Sequence, residues 1–222
     1  MLFENTEVFN FDGALRGMRN PKESWNKSDS GIKNDTGFAF NDEFVIGPND
    51  LQLAQTLIRA GSEHRKFMRQ IFVSVDITAP LYWWKEFDTY KVATVSNSCS
   101  TMHKLADTPI TKDCFEMGDF TPFIDNFKID LSWQTVVTYL EQLRQKYNET
   151  KDKRYWKELI RLLPESWLQK RTVTMNYENL LGICSKGQRR FHKLTEWSVD
   201  FIQWARNLPY AQDLLFIDEL SK

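Results

Sequence analysis

The sequence has few of the residues that form metal sites. It contains three cysteines, Cys99, Cys114 and Cys184, and three scattered histidines, at no spacing that metal ligands use. Zinc sites need several such ligands at short, regular intervals. The sequence therefore excludes a zinc centre, and the odd number of cysteines fits reduced thiols.

Long apolar runs and a strong net charge are also missing. No run approaches the roughly 20 apolar residues that span a bilayer, and the first residues show neither a charged leader nor an apolar core. The 29 basic and 30 acidic residues nearly cancel, so no global field selects nucleic acid or an anionic membrane. We expect a cytoplasmic protein with neither partner, in which phosphate binding relies on a local cluster of cations.

Aromatic residues are abundant by contrast, with 8 Trp, 7 Tyr and 16 Phe. Such residues fill cores, and they also line pockets for planar ligands or subunit interfaces. Trp83 and Trp84 are adjacent, so both cannot face one side of the same element. The sequence allows two interpretations of this pair: both rings pack in the core, or one lines a ligand pocket or a subunit interface.

Apolar spacing predicts an α/β (or α+β) chain in which a small central β-sheet is flanked by helices and the C-terminal half is mainly helical. Asn49 or Asp50 is predicted to cap the first helix of the central region, and Gly61 to end it in the left-handed conformation. The predicted elements are strands over 71–77 and 171–175, and helices over 51–60, 81–87, 132–147, 152–163, 177–187 and 191–207.

Residues 1–49 are predicted to be a turn-rich N-terminal segment of a single domain that spans residues 1–222, because glycine and Asn-Pro breakers recur there. The stretch from Arg16 to Pro21 places two arginines beside a flexible glycine, which suits either a phosphate contact or a surface turn. Short apolar pieces at 38–40 and 44–46 suit strands or a pocket-lining loop.

Three polar segments follow one another along the chain. Residues 63–70 read Glu-His-Arg-Lys-Phe-Met-Arg-Gln and lead into the predicted strand at 71–77. Residues 90–103 read Tyr-Lys-Val-Ala-Thr-Val-Ser-Asn-Ser-Cys-Ser-Thr-Met-His. Farther on, Arg161-Leu162-Leu163-Pro164 precedes Asn176 and a helical stretch that contains Arg189 and Arg190.

In this order and spacing the segments resemble the flavin-dependent thymidylate synthase family, over about residues 50–208. The family signature is Arg-His-Arg, two residues, Ser, one residue, Asn-Glu, one residue, Ser, one residue, Arg-Tyr. In that register Asn97 and Ser100 stand at the family's Asn and second Ser. His64 stands at the first His of the family's upstream element.

The resemblance implies that the protein methylates dUMP, with carbon from methylenetetrahydrofolate and hydride from FAD that NADPH reduces. It also implies a homotetramer with active sites built between subunits. The residues that it assigns to the cofactor are His64, Lys66, Lys91, Asn97 and Asn176. Those that it assigns to the nucleotide are Ser98, Ser100, Arg161, Arg189 and Arg190.

The Arg-His-Arg element is replaced here by Tyr90, Lys91 and Val92, and the family's Glu by Ser98. An arginine fork binds phosphate in a bidentate way, whereas a lysine keeps only a point charge. The sequence therefore leaves open a flavoenzyme acting on a deoxyuridine nucleotide, and a catalytically inactive or repurposed nucleotide-binding or assembly protein on the same scaffold. A structural or regulatory protein of a phage or prophage is a third alternative.

Most candidate residues also have a simpler interpretation. His64 suits a helix C-terminus, where it complements the dipole. Asn176 suits a helix cap, and Ser100 suits a closed turn. Lysines and arginines usually lie solvated at the surface. The sequence alone leaves both interpretations open.

Overall fold

A computed structural model describes residues 1–33, 43–117, 123–124 and 127–220. Its strands, in chain order, are β1 Leu2–Phe9, β2 Gly31–Lys33, β3 Glu43–Val45, β4 Phe72–Pro80, β5 Val95–Ser98, β6 Phe123–Ile124, β7 Phe127–Lys128 and β8 Leu168–Asn176. Within these described ranges the main sheet has four strands in the order β1-β4-β8-β5. The sheet is small, antiparallel and flanked by helices, which confirms the predicted fold class.

The helices are α1 Phe11–Arg19, α2 Pro48–Arg59, α3 Leu81–Phe87, α4 Thr101–Lys104, α5 Ile129–Thr150, α6 Lys153–Arg161, α7 Tyr177–Cys184, α8 Lys186–Arg189, α9 Ile202–Arg206 and α10 Ala211–Leu214. Short 3-10 turns occur as well, among them Asn20–Lys22, Trp25–Lys27 and Lys66–Gln70. No helix of the described ranges is both long enough and apolar enough to cross a membrane.

Strands β4 and β8 pair in opposite directions. The Tyr177 amide donates to the Ile71 carbonyl at 3.0 Å, and the Thr172 hydroxyl donates to the Asp76 carboxylate at 2.6 Å. As the residue number increases along β4, the number of its partner in β8 therefore decreases. This is the pattern of antiparallel strands.

The described chain divides into two compact units. The first comprises Met1–Leu2, Asp76–Thr89 and Ser96–Thr172, and the second comprises Phe3–Val75, Tyr90–Val95 and Val173–Lys222. The single domain over residues 1–222 stays a prediction.

The first unit has an apolar core on α5 and α6. Leu140 and Leu159 are 1% and 0% exposed at its centre. Helix α3 is also deeply buried, since Trp83 and Trp84 are both fully enclosed and their rings meet edge to face at 4.8 Å. Consecutive helix residues point about 100° apart, so burial of both rings makes them core residues rather than walls of an open pocket.

Helix α1 in the second unit runs through Gly13 and Gly17, which corrects the prediction that these glycines break the chain into turns. The helix buries Phe11, Ala14, Leu15 and Met18, which recur at helical spacing. Burial of this apolar face outweighs the roughly 1 kcal/mol that each helical glycine costs. Strand β1 precedes the helix, and the predicted apolar piece at 38–40 lies outside the described residues.

Helix α2 begins at Pro48, so the predicted cap at Asn49 or Asp50 is wrong. The amides of Asn49 and Asp50 instead donate to the carboxylate of Asp29, at 2.9 and 3.1 Å. A distant residue thus satisfies donors that local caps usually satisfy. Gly61 has a φ of +109° just past the helix, which confirms the predicted left-handed ending.

The C-terminal helices are shorter than the sequence predicts. Helix α7 ends at Cys184, and Ser185 caps the separate helix α8 by accepting from the Gln188 amide. The helix predicted over 191–207 begins only at Glu196–Phe201, which is π-helical, and continues as α9.

Candidate functional site

A cavity of about 990 Å³ lies in the second unit. It is lined by parts of α1 and α2 and by the segments 21–27 and 63–70, and its volume is in the range of sites for small molecules. His64 and Lys66, both predicted as cofactor contacts, lie together on its wall. The structure therefore brings two of the ten predicted residues into one concave site.

Lysines give this cavity its charge. Lys22, Lys27 and Lys66 line it with exposed side chains, together with two glutamates, Glu23 and Glu63. Lys66 lies 3.8 Å from Glu63, whereas Lys22 and Lys27 form no ion pair with any described residue. Two cations are thus available to an anionic ligand.

The rest of the lining offers amides and apolar surface. Asn26, Asn49 and Gln70 can donate and accept hydrogen bonds, and Phe67, 4% exposed, and Leu57 add apolar walls. This combination fits a ligand with phosphate groups and a planar ring, because lysine binds phosphate as a point charge while apolar walls cover a ring.

Two arginines near His64 are engaged elsewhere. Arg65 and Arg69 both bind the carboxylate of Glu178, Arg65 through Nε at 3.3 Å. Burial raises the pKa of Glu178, but the hydrogen bonds from Arg69 and Arg65 outweigh it and hold the pKa below its usual value. Glu178 therefore stays ionised at neutral pH and neutralises part of this basic segment.

Asn176 is 2% exposed and caps α7. Its side-chain oxygen accepts from the Asn179 amide at 3.0 Å, and the Asn179 side chain accepts from the Asn176 amide at 3.1 Å. This reciprocal pair is the capping box of helix N-termini. The Asn179 side chain also donates to the Val92 carbonyl at 2.7 Å, which ties the segment 90–95 to α7.

The three residues in place of Arg-His-Arg have different environments. Tyr90 is partly buried and contacts His192, whereas Val92 is 83% exposed and the Lys91 side chain is exposed. None of the three lines the cavity.

Four predicted residues belong to the first unit. Asn97 and Ser98 are exposed on β5, and Ser100 accepts from the His103 amide at 3.1 Å as the cap of α4. Arg161 ends α6 and lies 3.4 Å from Glu158. These four side chains do not line the cavity of the second unit.

Arg189 and Arg190 differ although they are adjacent. Arg189 is 23% exposed and binds the C-terminal acids, with Nη1 2.6 Å from Glu219 and Nη2 3.7 Å from Asp218. Arg190 is exposed and pairs with no residue that the structure describes.

Sequence reasoning missed Lys22 and Lys27 as wall residues and Asp50 as a buried anchor. The carboxylate of Asp50 is fully buried and binds Arg19 through Nε at 2.5 Å. The signal that was available is the run Ser28-Asp29-Ser30 followed by a second acid at 50, but only the folded chain joins them.

Three solved structures share the fold of this chain. Flavin-dependent thymidylate synthase ThyX from Helicobacter pylori, complexed with FAD and dUMP, matches with a TM-score of 0.66 and 18% identity over 100% of both chains. The fold is that of ThyX. A second ThyX structure from the same organism, also with FAD and dUMP, has the same score and identity over 98% of both chains.

The third is the UMP/dUMP methylase PolB from Streptomyces cacaoi, bound with 5-Br UMP. It matches with a TM-score of 0.60 and 14% identity, over 98% of this chain and 94% of PolB. No family model and no curated protein matches the sequence. At these identities the likeness shows the ThyX-like fold alone.

Proposed function

We propose that this protein binds FAD and a uridine nucleotide and methylates the nucleotide with a carbon unit from methylenetetrahydrofolate. The observation that supports the proposal is the cavity beside His64 and Lys66, on a fold whose solved relatives hold FAD with dUMP, or 5-Br UMP. Thymidylate synthase-like chemistry is thereby the first function to test.

The charge and polarity of the residues that line the cavity support flavin as its ligand. Lys22, Lys27 and Lys66 would hold its phosphates, His64 would donate to the edge of its ring, and Phe67 would cover an apolar face. When bound, FAD reduced by NADPH supplies the hydride that completes the methyl group. The protein contributes binding and orientation, which is how proteins use most cofactors.

Predicted residues outside the cavity would also contact the two ligands, and those for the nucleotide include Arg190. Arg190 is the proposed cation for the nucleotide's phosphate, since its guanidinium is exposed and lacks an ion pair among the described residues. Ser98, Ser100 and Arg161 are further proposed contacts of the nucleotide, and Lys91 and Asn97 are further proposed contacts of the cofactor. A homotetramer with sites shared between subunits would bring residues of different copies to one ligand.

A second candidate function is nucleotide binding without catalysis. Tyr90 and Val92 favour it, because Tyr90 packs against His192 and the Val92 carbonyl accepts from Asn179 instead of clamping an anion. Complementation separates the two functions. Growth of a thymidine-requiring strain that expresses this chain supports methylation, and failure with well-folded, flavin-loaded protein supports the binding function.

Direct titration tests the binding itself. Lys66→Gln and Lys27→Gln should each weaken FAD binding by up to about fivefold, since an exposed charge contact contributes up to about 1 kcal/mol. Lys157→Gln is the matched control, because Lys157 is an exposed lysine on α6 outside the cavity. Equal FAD affinity in all three variants contradicts the assignment of this cavity.

A further inference from the structure

We propose that Asp50 is a positioning residue, whose single carboxylate holds the lysine-bearing segment 20–27 in place for a phosphorylated ligand in the cavity. This inference rests on the proposed function, since it assumes that the cavity binds such a ligand. Asp50 itself is not among the residues that line the cavity.

The two oxygens of Asp50 bind different parts of the chain. Oδ1 accepts from Arg19 Nε at 2.5 Å. Oδ2 accepts from the hydroxyls of Ser28 and Ser30, both at 2.6 Å, and from the amides of Asp29 and Ser30 at 3.2 and 3.1 Å. The carboxylate is fully buried, so solvent does not compete for these bonds.

These partners lie immediately before and after the segment 20–27. Arg19 precedes it and Ser28 follows it, so one carboxylate fixes both of its ends. Arg19 also donates from Nη1 to the carbonyl of Ser24 at 3.3 Å, which holds the middle. The cavity residues of this segment are Pro21, Lys22, Glu23, Ser24, Asn26 and Lys27.

The residues that follow the segment are also packed tightly against the start of α2. A Cβ at Gly47 would lie 2.4 Å from the Asp29 carbonyl oxygen, so only glycine allows this approach. The Gly47 amide donates to the Ser30 hydroxyl at 2.9 Å. The segment therefore has little freedom while the bonds of Asp50 are in place.

Position 50 needs a carboxylate because its partners are the buried cation of Arg19 and several hydrogen-bond donors. Arg19 is 4% exposed, and a buried cation without its counter-charge is strongly destabilising. Burial raises the pKa of Asp50, but hydrogen bonds from Ser28, Ser30 and Arg19 outweigh it and lower the pKa below its usual value. Asp50 is thus ionised at neutral pH, and it binds Arg19 and the serines rather than Lys22 or Lys27.

A double-mutant cycle distinguishes positioning from a general effect on stability. The probes are FAD and inorganic pyrophosphate, titrated well below the melting temperature of each variant. Asp50→Asn should weaken FAD binding about fivefold or more. In the background Lys22→Gln/Lys27→Gln, the same Asp50→Asn change should alter the affinity less than twofold, because the groups that Asp50 positions are gone.

The positioning role is overturned if the losses of affinity in the cycle are additive. It is also overturned if folded Asp50→Asn protein binds FAD as tightly as the wild type. Neither result contradicts the proposed function. If neither probe binds the wild-type protein, both proposals fail. Should Asp50→Asn not fold, Ser28→Ala/Ser30→Ala keeps the Arg19–Asp50 pair and releases only the far end. That variant should also bind FAD more weakly than the wild type, and the loss should disappear in the background Lys22→Gln/Lys27→Gln. Wild-type FAD affinity in this variant overturns the inference.

Discussion

The hydroxyl of Tyr90 lies 3.2 Å from Nε2 of His192 and 2.9 Å from the side-chain amide of Gln188. The His192 ring in turn stacks on Trp197, with ring centroids 4.5 Å apart and planes inclined by 17°. Tyr90 stands where the resembling family has the first arginine of its flavin clamp. In this chain the position serves packing inside the second unit.

Tyr90→Phe should therefore lower the free energy of unfolding by about 1 kcal/mol, the net value of a partly buried hydrogen bond. Urea unfolding followed by tryptophan fluorescence measures this loss. Tyr139→Phe is the control, because Tyr139 is 49% exposed on α5. A loss no larger than that of the control would show that the hydroxyl contributes nothing to the packing.

Glu141 should make the first unit sensitive to acid. Hydrogen bonds from Arg144, the Ile110 amide and Gln145 lower the pKa of its carboxyl from 4.5 to about 2, against the effect of burial. A lowered folded-state pKa stabilises the protein above about pH 4.5, and this stability is lost as the pH falls towards 2. The full shift corresponds to about 3 kcal/mol.

The measurement is urea unfolding of the wild type and of Glu141→Gln at several pH values. Glu141→Gln should be less stable than the wild type at neutral pH and should lose less stability on acidification. Parallel curves for the two proteins would contradict the ion-pair assignment.

Arg189 and Arg190 should separate stability from nucleotide binding. Arg189→Gln leaves Glu219 and Asp218 without this cation, and we expect a loss of about 1–3 kcal/mol in unfolding free energy. Arg190→Gln should leave the unfolding free energy unchanged. It should weaken dUMP binding about tenfold, as the loss of a charged phosphate contact does. Thermal unfolding and dUMP titration of both variants give the answer. The prediction is contradicted if Arg190→Gln lowers the melting temperature and only Arg189→Gln weakens dUMP binding.

Gly47→Ala tests the packing of the segment 28–30 on α2. The added methyl would meet the Asp29 side chain at 2.2 Å and its carbonyl oxygen at 2.4 Å. Overpacking of this kind costs about 1–3 kcal/mol. Gly61→Ala is no matched control, since its φ of +109° is itself unfavourable for alanine. Gly182→Ala is suitable, because a Cβ there meets no atom within 4 Å.

The fold could be predicted from the sequence where local signals agree. Pro80 before an apolar stretch predicted α3 with its observed bounds, Leu81–Phe87, and the β-branched run after Ile71 predicted β4. At the N-terminus local signals conflict. Gly13 and Gly17 predicted turns, but the buried apolar face of α1 determines the structure.

The lining of the candidate cavity could be predicted only in part, because its geometry depends on long-range contacts. His64 and Lys66 are near each other in sequence and share the cavity wall. The bonds of Asp50 join residues 20 to 31 positions away, and no local pattern reveals them. The cap of α2 by Asp29 went unpredicted for the same reason. The remaining predicted contacts stay predictions until ligand binding is measured.

One measurement tests the central claim most directly, and it is the visible absorbance of the purified protein after incubation with FAD and gel filtration. We predict that FAD elutes with the wild-type protein, that its absorbance bands shift from those of free FAD, and that Lys22→Gln/Lys27→Gln protein retains less of it. Colourless protein fractions, with all FAD eluting as the free compound and no thermal shift with dUMP, would contradict the account.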